Sequence, residues 1–300
     1  MIEDLDKQTY KLIDKYIDAY EYLMKKLIRS IENNLSETHT RAVMAEIESV
    51  LKELDEDAYK YCTETLPQYF LLGVESVDVQ VSLLNLALAG TPLVVHKFAI
   101  DKAVNDTYND LAGRTKYIGE EMKKTIRKVS SEIITRQLIT GESKKTVKKT
   151  LREELEAQGV HSFVDNANRK WHIGRYSNML LRTKSRILTN EGTMERLKVY
   201  QEKYPSNDNF DFVQISNHHA KDWCSMFEGR VFSISGNSDI YPSVDRLPNG
   251  YSTLHPNCKH IFQPYIPELR GQGKIVSEKY LDRDVAGLNK EFYHLSKKGK

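Results

Sequence analysis

Leu5, Leu12, Tyr16, Tyr20, Leu23 and Leu27 recur three, four or seven residues apart, with Thr9 as the one polar position in the series. That spacing lays them along one stripe of an α-helix. Asn33-Asn34 and Ser36-Glu37-Thr38 read as a stop and a new N-cap region, and a second amphipathic run follows over 39–54. Pro67 breaks the pattern before Tyr69-Phe70-Leu71-Leu72, and Pro92 breaks it again. The helical signal is longest over 97–155, where 101–117 and 120–138 carry helical spacing with charges outward. Gly141 suits a helix C′ position, and Ser143 is a candidate cap for a helix over 144–158 that Gly159 ends.

After residue 160 the pattern changes. Residues 163–171 read as a polar turn entering a structured region, and 176–200 is again helical, with Met179, Leu180, Ile187, Leu188, Met194, Leu197 and Val199 on its apolar face. Residues 211–216 largely alternate polar and apolar, the mark of a half-buried strand. Two further strands are expected at 230–234 and 259–265, the latter stopped by Pro264 and Pro267, and 236–237 and 248–250 mark loops. The last thirty residues are polar and carry Lys290, Lys297, Lys298 and Lys300, which suggests a mobile tail with one short helix. The expected class is α+β, a long mainly helical N-terminal region followed by a small α+β module. Its segments are a helical region over 1–96, a long helical arm with a basic stretch over 97–160, the α+β module over 161–267 and a polar tail over 268–300.

Composition narrows the function. The 300 residues hold 44 Lys+Arg and 42 Asp+Glu, a net charge of +2. That balance excludes a uniformly basic nucleic-acid coat and a supercharged acidic protein. Locally the balance fails, because residues 114–153 hold 12 Lys/Arg against 5 Glu. This stretch is either a solvated helical face or a contact for DNA phosphates, with Lys144, Lys145, Lys148 and Lys149 as candidates. Tyr outnumbers Phe 17 to 9, which suits half-buried surfaces and interfaces. Three cysteines, Cys62, Cys224 and Cys258, are too few and too odd in number for a disulfide-stapled secreted domain and fit a reducing compartment. The charged N-terminus has no apolar signal-peptide core, and the most apolar stretch, 83–100, is broken by Asn85, Gly90-Thr91-Pro92 and His96-Lys97, so no membrane segment is expected.

Two segments concentrate soft ligands: Asn217-His218-His219-Ala220-Lys221-Asp222-Trp223-Cys224 and His255-Pro256-Asn257-Cys258-Lys259-His260. Thiolates and imidazoles are the ligands that a structural Zn²⁺ takes four at a time. Cys258 and His260 from the second segment could join Cys224 and His218 or His219 from the first, although the spacing is not that of a standard finger. Two other readings stay open. The cysteines can be small buried hydrophobes beside locally satisfied histidines. A Cys–His nucleophile is also conceivable, but no oxyanion-hole signature accompanies it.

Taken in order, the residues of 165–267 resemble the phage minor capsid, or Mu F-like head morphogenesis, proteins. The matching pieces are Trp171, Tyr176-Ser177-Asn178-Met179, Arg182-Thr183, Asn190-Glu191-Gly192, Arg196, and the strand ending Val213-Gln214-Ile215-Ser216. Then come Cys224-Ser225-Met226-Phe227-Glu228-Gly229-Arg230-Val231-Phe232 and His255-Pro256-Asn257-Cys258-Lys259-His260. Residues 139–143 resemble the hinge that such proteins carry before this module. The chain departs from the family where Lys221 stands in place of an earlier cysteine and His260 in place of a later one. A zinc site would then have to recruit His218 or His219.

The resemblance implies a virion component without catalytic activity, present inside the head after assembly in the host cytoplasm. Its implied partners are the portal protein, the major capsid or scaffold protein and genomic DNA bound without sequence preference. Its implied role is to assist assembly, DNA packaging or ejection. With only about thirty polar residues after Pro267, no further folded core such as a toxin domain is expected there. Arg182 can order loops through an ion pair or carbonyls, or contact phosphate. The competing class is a metal-dependent nuclease or hydrolase using the His/Cys cluster, with Asp222 and Glu228 as nearby carboxylates.

Overall fold

The computed structural model describes residues 2–32, 37–86, 93–140, 143, 145–146, 149–150, 153, 162–164, 170–248 and 253–298, with side chains outside 30–40, 93–96, 129–140, 162–173 and 294–298. Its helices are α1 (Ile2–Glu32), α2 (Glu37–Lys60), α3 (Leu66–Ser82), α4 (Leu93–Thr140), α5 (Ile173–Lys203), the single turn α6 (Pro267–Arg270) and α7 (Val285–Lys298). The strands are β1 (Ser162–Val164), β2 (Lys170–His172), β3 (Phe212–Ile215), β4 (Val231–Ser233) and β5 (Phe262–Pro264). The chain is α+β as expected, mostly helical with a small antiparallel sheet late in the sequence. Among the described residues no helix is long and apolar enough to cross a membrane. Two compact units form, one from residues 1–6, 63–105 and 179–300, the other from 7–62 and 106–178.

In the second unit the stripe read from α1 is buried along its length, Leu12, Tyr16, Tyr20, Leu23 and Leu27 included. The polar gap is buried too: Thr9 is satisfied by a 2.8 Å hydrogen bond between its hydroxyl and that of Tyr61. α2 buries Val43, Ile47, Leu54 and Ala58 at the same helical spacing. The helices expected over 101–117 and 120–138 are one continuous helix, α4. Gly119 does not break it, because Leu111, Thr115, Met122 and Ile126 form an uninterrupted buried stripe across that position. Ser143 does cap: its Oγ accepts the Thr146 amide at 3.2 Å. The expected turn within 163–171 is bracketed by an antiparallel pair, β1–β2, with Phe163 opposite Trp171. Residues 165–169 lie outside the described ones, as do Gly141 and Gly159.

The first unit contains the sheet, ordered β4-β3-β5 and antiparallel throughout. All three strands stand where the alternation placed them, and Pro264 sits on the edge strand β5 opposite Val213, where its missing N–H costs no ladder bond inside the sheet. Pro67 marks a break where its position suggested, at the start of α3. A π-helical turn, Tyr61–Thr65, carries α2 into α3, and the proline occupies the first turn of α3.

α3 crosses α5 at two glycines. A Cβ on Gly73 would lie 2.2 Å from the Thr189 carbonyl oxygen, and one on Gly192 would lie 2.1 Å from that of Phe70. Beside this crossing Arg196 makes a bidentate pair with Asp78, at 2.7 and 3.0 Å, and the Tyr200 hydroxyl donates to the same carboxylate. Asn190 Oδ1 accepts the Phe262 amide at 2.7 Å, tying β5 to α5. Asn190, Gly192 and Arg196, noted in the sequence as motif positions, are therefore the cross-ties of this core.

The C-terminal segment is not a free polar tail. Val276, Leu281 and Leu288 are buried in the cluster that also holds Val77, Val81, Leu197, Val213 and Phe232. Arg246 secures the approach to α7 by pairing with Asp282 at 2.6 Å and with Glu278. The segment is polar by composition, yet its few apolar residues fall where they meet the core.

Candidate functional site

The Cys/His segments meet at one end of the sheet. Asp222 starts a 3-10 turn, Trp223–Met226, by accepting the Cys224 amide at 3.1 Å, and the turn directs the Cys224 side chain into the core. Trp223 and Phe227 brace it edge to face, with ring centroids 5.9 Å apart. The second segment is a tight turn in which the Cys258 amide donates to the His255 carbonyl at 3.2 Å. Asn257 takes the left-handed conformation there, φ +64°, which asparagine tolerates better than most residues. Its amide donates to Thr183 Oγ1 at 2.8 Å, so α5 holds the turn. The third support is β3: Ser216 donates its amide to the Ile261 carbonyl at 3.0 Å and accepts the Ile261 amide on its hydroxyl at 2.9 Å.

These supports bring Cys224, Cys258 and His260 together, all buried, with ligand atoms within 4.8 Å of one another. A second triplet of the same compactness, Asp222, Cys224 and His255, shares the Cys224 sulfur. His260 Nδ1 lies 3.2 Å from the Cys258 sulfur. The outer nitrogens are both occupied. His260 Nε2 donates to Glu228 Oε1 at 2.9 Å, and His255 Nδ1 donates to the Pro256 carbonyl at 2.7 Å.

The electrostatics follow from this packing. The neighbouring Cys224 draws the Cys258 pKa far below its ordinary value; His255 and His260 add to this against the cost of burial. Cys224 is pushed far up by Cys258 beside it and by burial. His255 is raised, chiefly by Cys258. Burial works against a charge on His260, but Cys258 and Glu228 raise its pKa nonetheless. Burial likewise opposes the Glu228 charge, yet His260 and the amides of His218 and Ala220, at 2.8 and 3.0 Å, hold its pKa below the usual range. Cys62 is different: burial alone raises its thiol to about 12, so it is an inert core residue.

The other sequence candidates fall in distinct places. His218 stands beside His260, with ring centroids 5.2 Å apart, but its Nε2 is engaged by the Ser216 hydroxyl at 2.9 Å. His219 is exposed, at φ +53°. Gly229, at φ +69°, turns the chain into β4 and donates its amide to the Ile215 carbonyl. Tyr176 is buried under the Arg114 guanidinium at 5.3 Å. Arg182 is half-buried, and the arginine ion pairs described on α5 are made by Arg186 with Asp6 and by Arg196 with Asp78. The Trp171 side chain, Lys144 and Lys148 lie outside the described residues. Lys145 and Lys149 are exposed, and Lys149 lies 3.9 Å from Glu153.

Sequence reasoning gave His255 no ligand role and took Glu228 only as a possible base. The tight turn His255-Pro256-Asn257-Cys258 was the available signal, since a β-turn brings its first and fourth residues together.

A family model described as phage minor capsid protein 2 matches residues 3–298 of this chain. Comparison with curated proteins and with solved structures gives no match.

Proposed function

Given that the chain belongs to the phage minor capsid protein 2 family over nearly its whole length, we propose that this structural protein of the phage head associates with the portal and assists head assembly, DNA packaging or ejection. The family match over 3–298 carries the reading. Large apolar side chains left at the surface support a partner: Phe98, Leu83 and Val79 in one unit, Tyr59, Tyr10 and Tyr22 in the other. Co-expression of the full chain with the portal protein of the same phage tests it. Co-purification of the two, with the protein recovered from DNA-free heads, is the expected result. A protein that appears in heads but never with the portal would overturn the portal assignment while leaving the family intact.

The reading extends to weak, non-specific contact with the packaged DNA through Lys144, Lys145, Lys148 and Lys149. Its support is the net positive charge of 114–153 and the exposure of Lys145 and Lys149, four residues apart on a helical segment. For the alternative of a metal-dependent nuclease or hydrolase, no described residue supplies a favouring observation. Glu228, the nearest half-buried carboxylate, already accepts three hydrogen bonds.

A further inference from the structure

Two features of the Cys/His cluster exceed what a packed core needs. Four soft side chains from segments more than thirty positions apart converge, where a hydrophobic interior would be served as well by alanine or valine. In addition, each histidine has its outer nitrogen fixed by an acceptor, Glu228 for His260 and the Pro256 carbonyl for His255. An outer acceptor of this kind sets the tautomer and aims the remaining nitrogen inward, which is how metal-ligating histidines are held.

We infer that Cys224 Sγ, Cys258 Sγ, His260 Nδ1 and His255 Nε2 bind one structural Zn²⁺. The set is two thiolates and two imidazoles, the donor chemistry that zinc prefers over harder cations. His255 takes the fourth position because it belongs to the compact triplet that shares the Cys224 sulfur, and the Pro256 carbonyl already holds its outer nitrogen. His218 does not, since Ser216 holds its Nε2. Asp222 is committed to capping the turn that presents Cys224, and its other oxygen lies 3.8 Å from His255 Nε2. With four protein ligands no position is left for water, so the ion ties the 222–228 turn, the 255–260 turn and the end of β3 together and does no chemistry. Glu228 is a positioning residue, acting through His260.

The test is elemental analysis and Co²⁺ titration of the full chain. The expected result is about one zinc per chain. Cobalt should bind in the same stoichiometry with the intense visible absorption of a tetrahedral thiolate site, and zinc should displace it. Cys224→Ser, Cys258→Ser, His255→Ala and His260→Ala should each abolish the cobalt spectrum or shift it to weaker thiolate absorption. His218→Ala and His219→Ala should leave it unchanged. Glu228→Gln should weaken zinc binding by about tenfold to a hundredfold with the spectrum intact. Absence of zinc and of any cobalt spectrum in the folded wild-type chain would overturn the site, and this reading needs no variant to fold. Loss on His218→Ala with retention on His255→Ala would overturn the ligand assignment.

Discussion

Gly73 and Gly192 are held by space, with no demand from their own dihedral angles. Each faces a carbonyl oxygen on the other helix at a distance no real Cβ tolerates, and neither helix can withdraw while Arg196 and Tyr200 grip Asp78. Gly192→Ala or Gly73→Ala should cost about 3 kcal/mol through overpacking of the crossing. Denaturant unfolding of the full chain measures it. A loss no greater than that of Gly113→Ala, where a Cβ meets nothing within 4 Å, would show that the crossing relaxes. The sequence marked Gly192 as a motif position, but its reason became visible only with Phe70 opposite it, over a hundred residues away in the chain.

Among the elements, α7 and the basic stretch behave in opposite ways although composition makes both look like solvated, polar segments. α7 is anchored by Leu288, which is fully buried. Leu288→Ala should therefore destabilise the sheet-containing unit by about 3 kcal/mol, seen as a lower denaturation midpoint. A midpoint equal to wild type would return the segment to the status of a tail. The basic stretch instead shows Lys145 and Lys149 to solvent. If it touches DNA, binding should weaken with salt at a log–log slope of roughly −3 to −4 for four phosphates. Replacing Lys144, Lys145, Lys148 and Lys149 by Glu should remove that dependence, as fluorescence anisotropy with two unrelated duplexes would report. Binding that persists in the quadruple variant would place the contact elsewhere.

For the whole molecule, the connectivity decides which pieces can be separated. The late sheet does not own its core: Val77 and Val81 of α3 lie in the same cluster as Val213, Phe232 and Leu288, and Asp78 is the partner of Arg196. Removing residues 1–160 should strip those groups, opening the apolar cluster to water and taking from Arg196 the carboxylate that holds it. The expected product has no cooperative melt and no near-UV circular dichroism. A fragment that melts cooperatively near the full chain's temperature would show that the module is self-sufficient. The proposed portal contact is therefore best tested by surface substitutions such as Phe98→Asp in the intact protein, with loss of co-purification as the expected outcome.

The sequence by itself determined the helical stripes, the three sheet strands, the Ser143 cap, the family and the two segments that carry the Cys/His cluster. These rest on periodicity, local hydrogen bonding or local motif, which act over a few residues and are written in consecutive positions. Only the tertiary structure decided that α4 runs unbroken through Gly119, that Pro67 sits inside a nearly continuous helical path, and that the C-terminal segment docks. It also decided that Glu228 lies against His260 at the edge of the cluster. Each of these depends on what a side chain meets across the core. An isolated glycine, glutamate or leucine carries no local mark of the distant group that gives it its role.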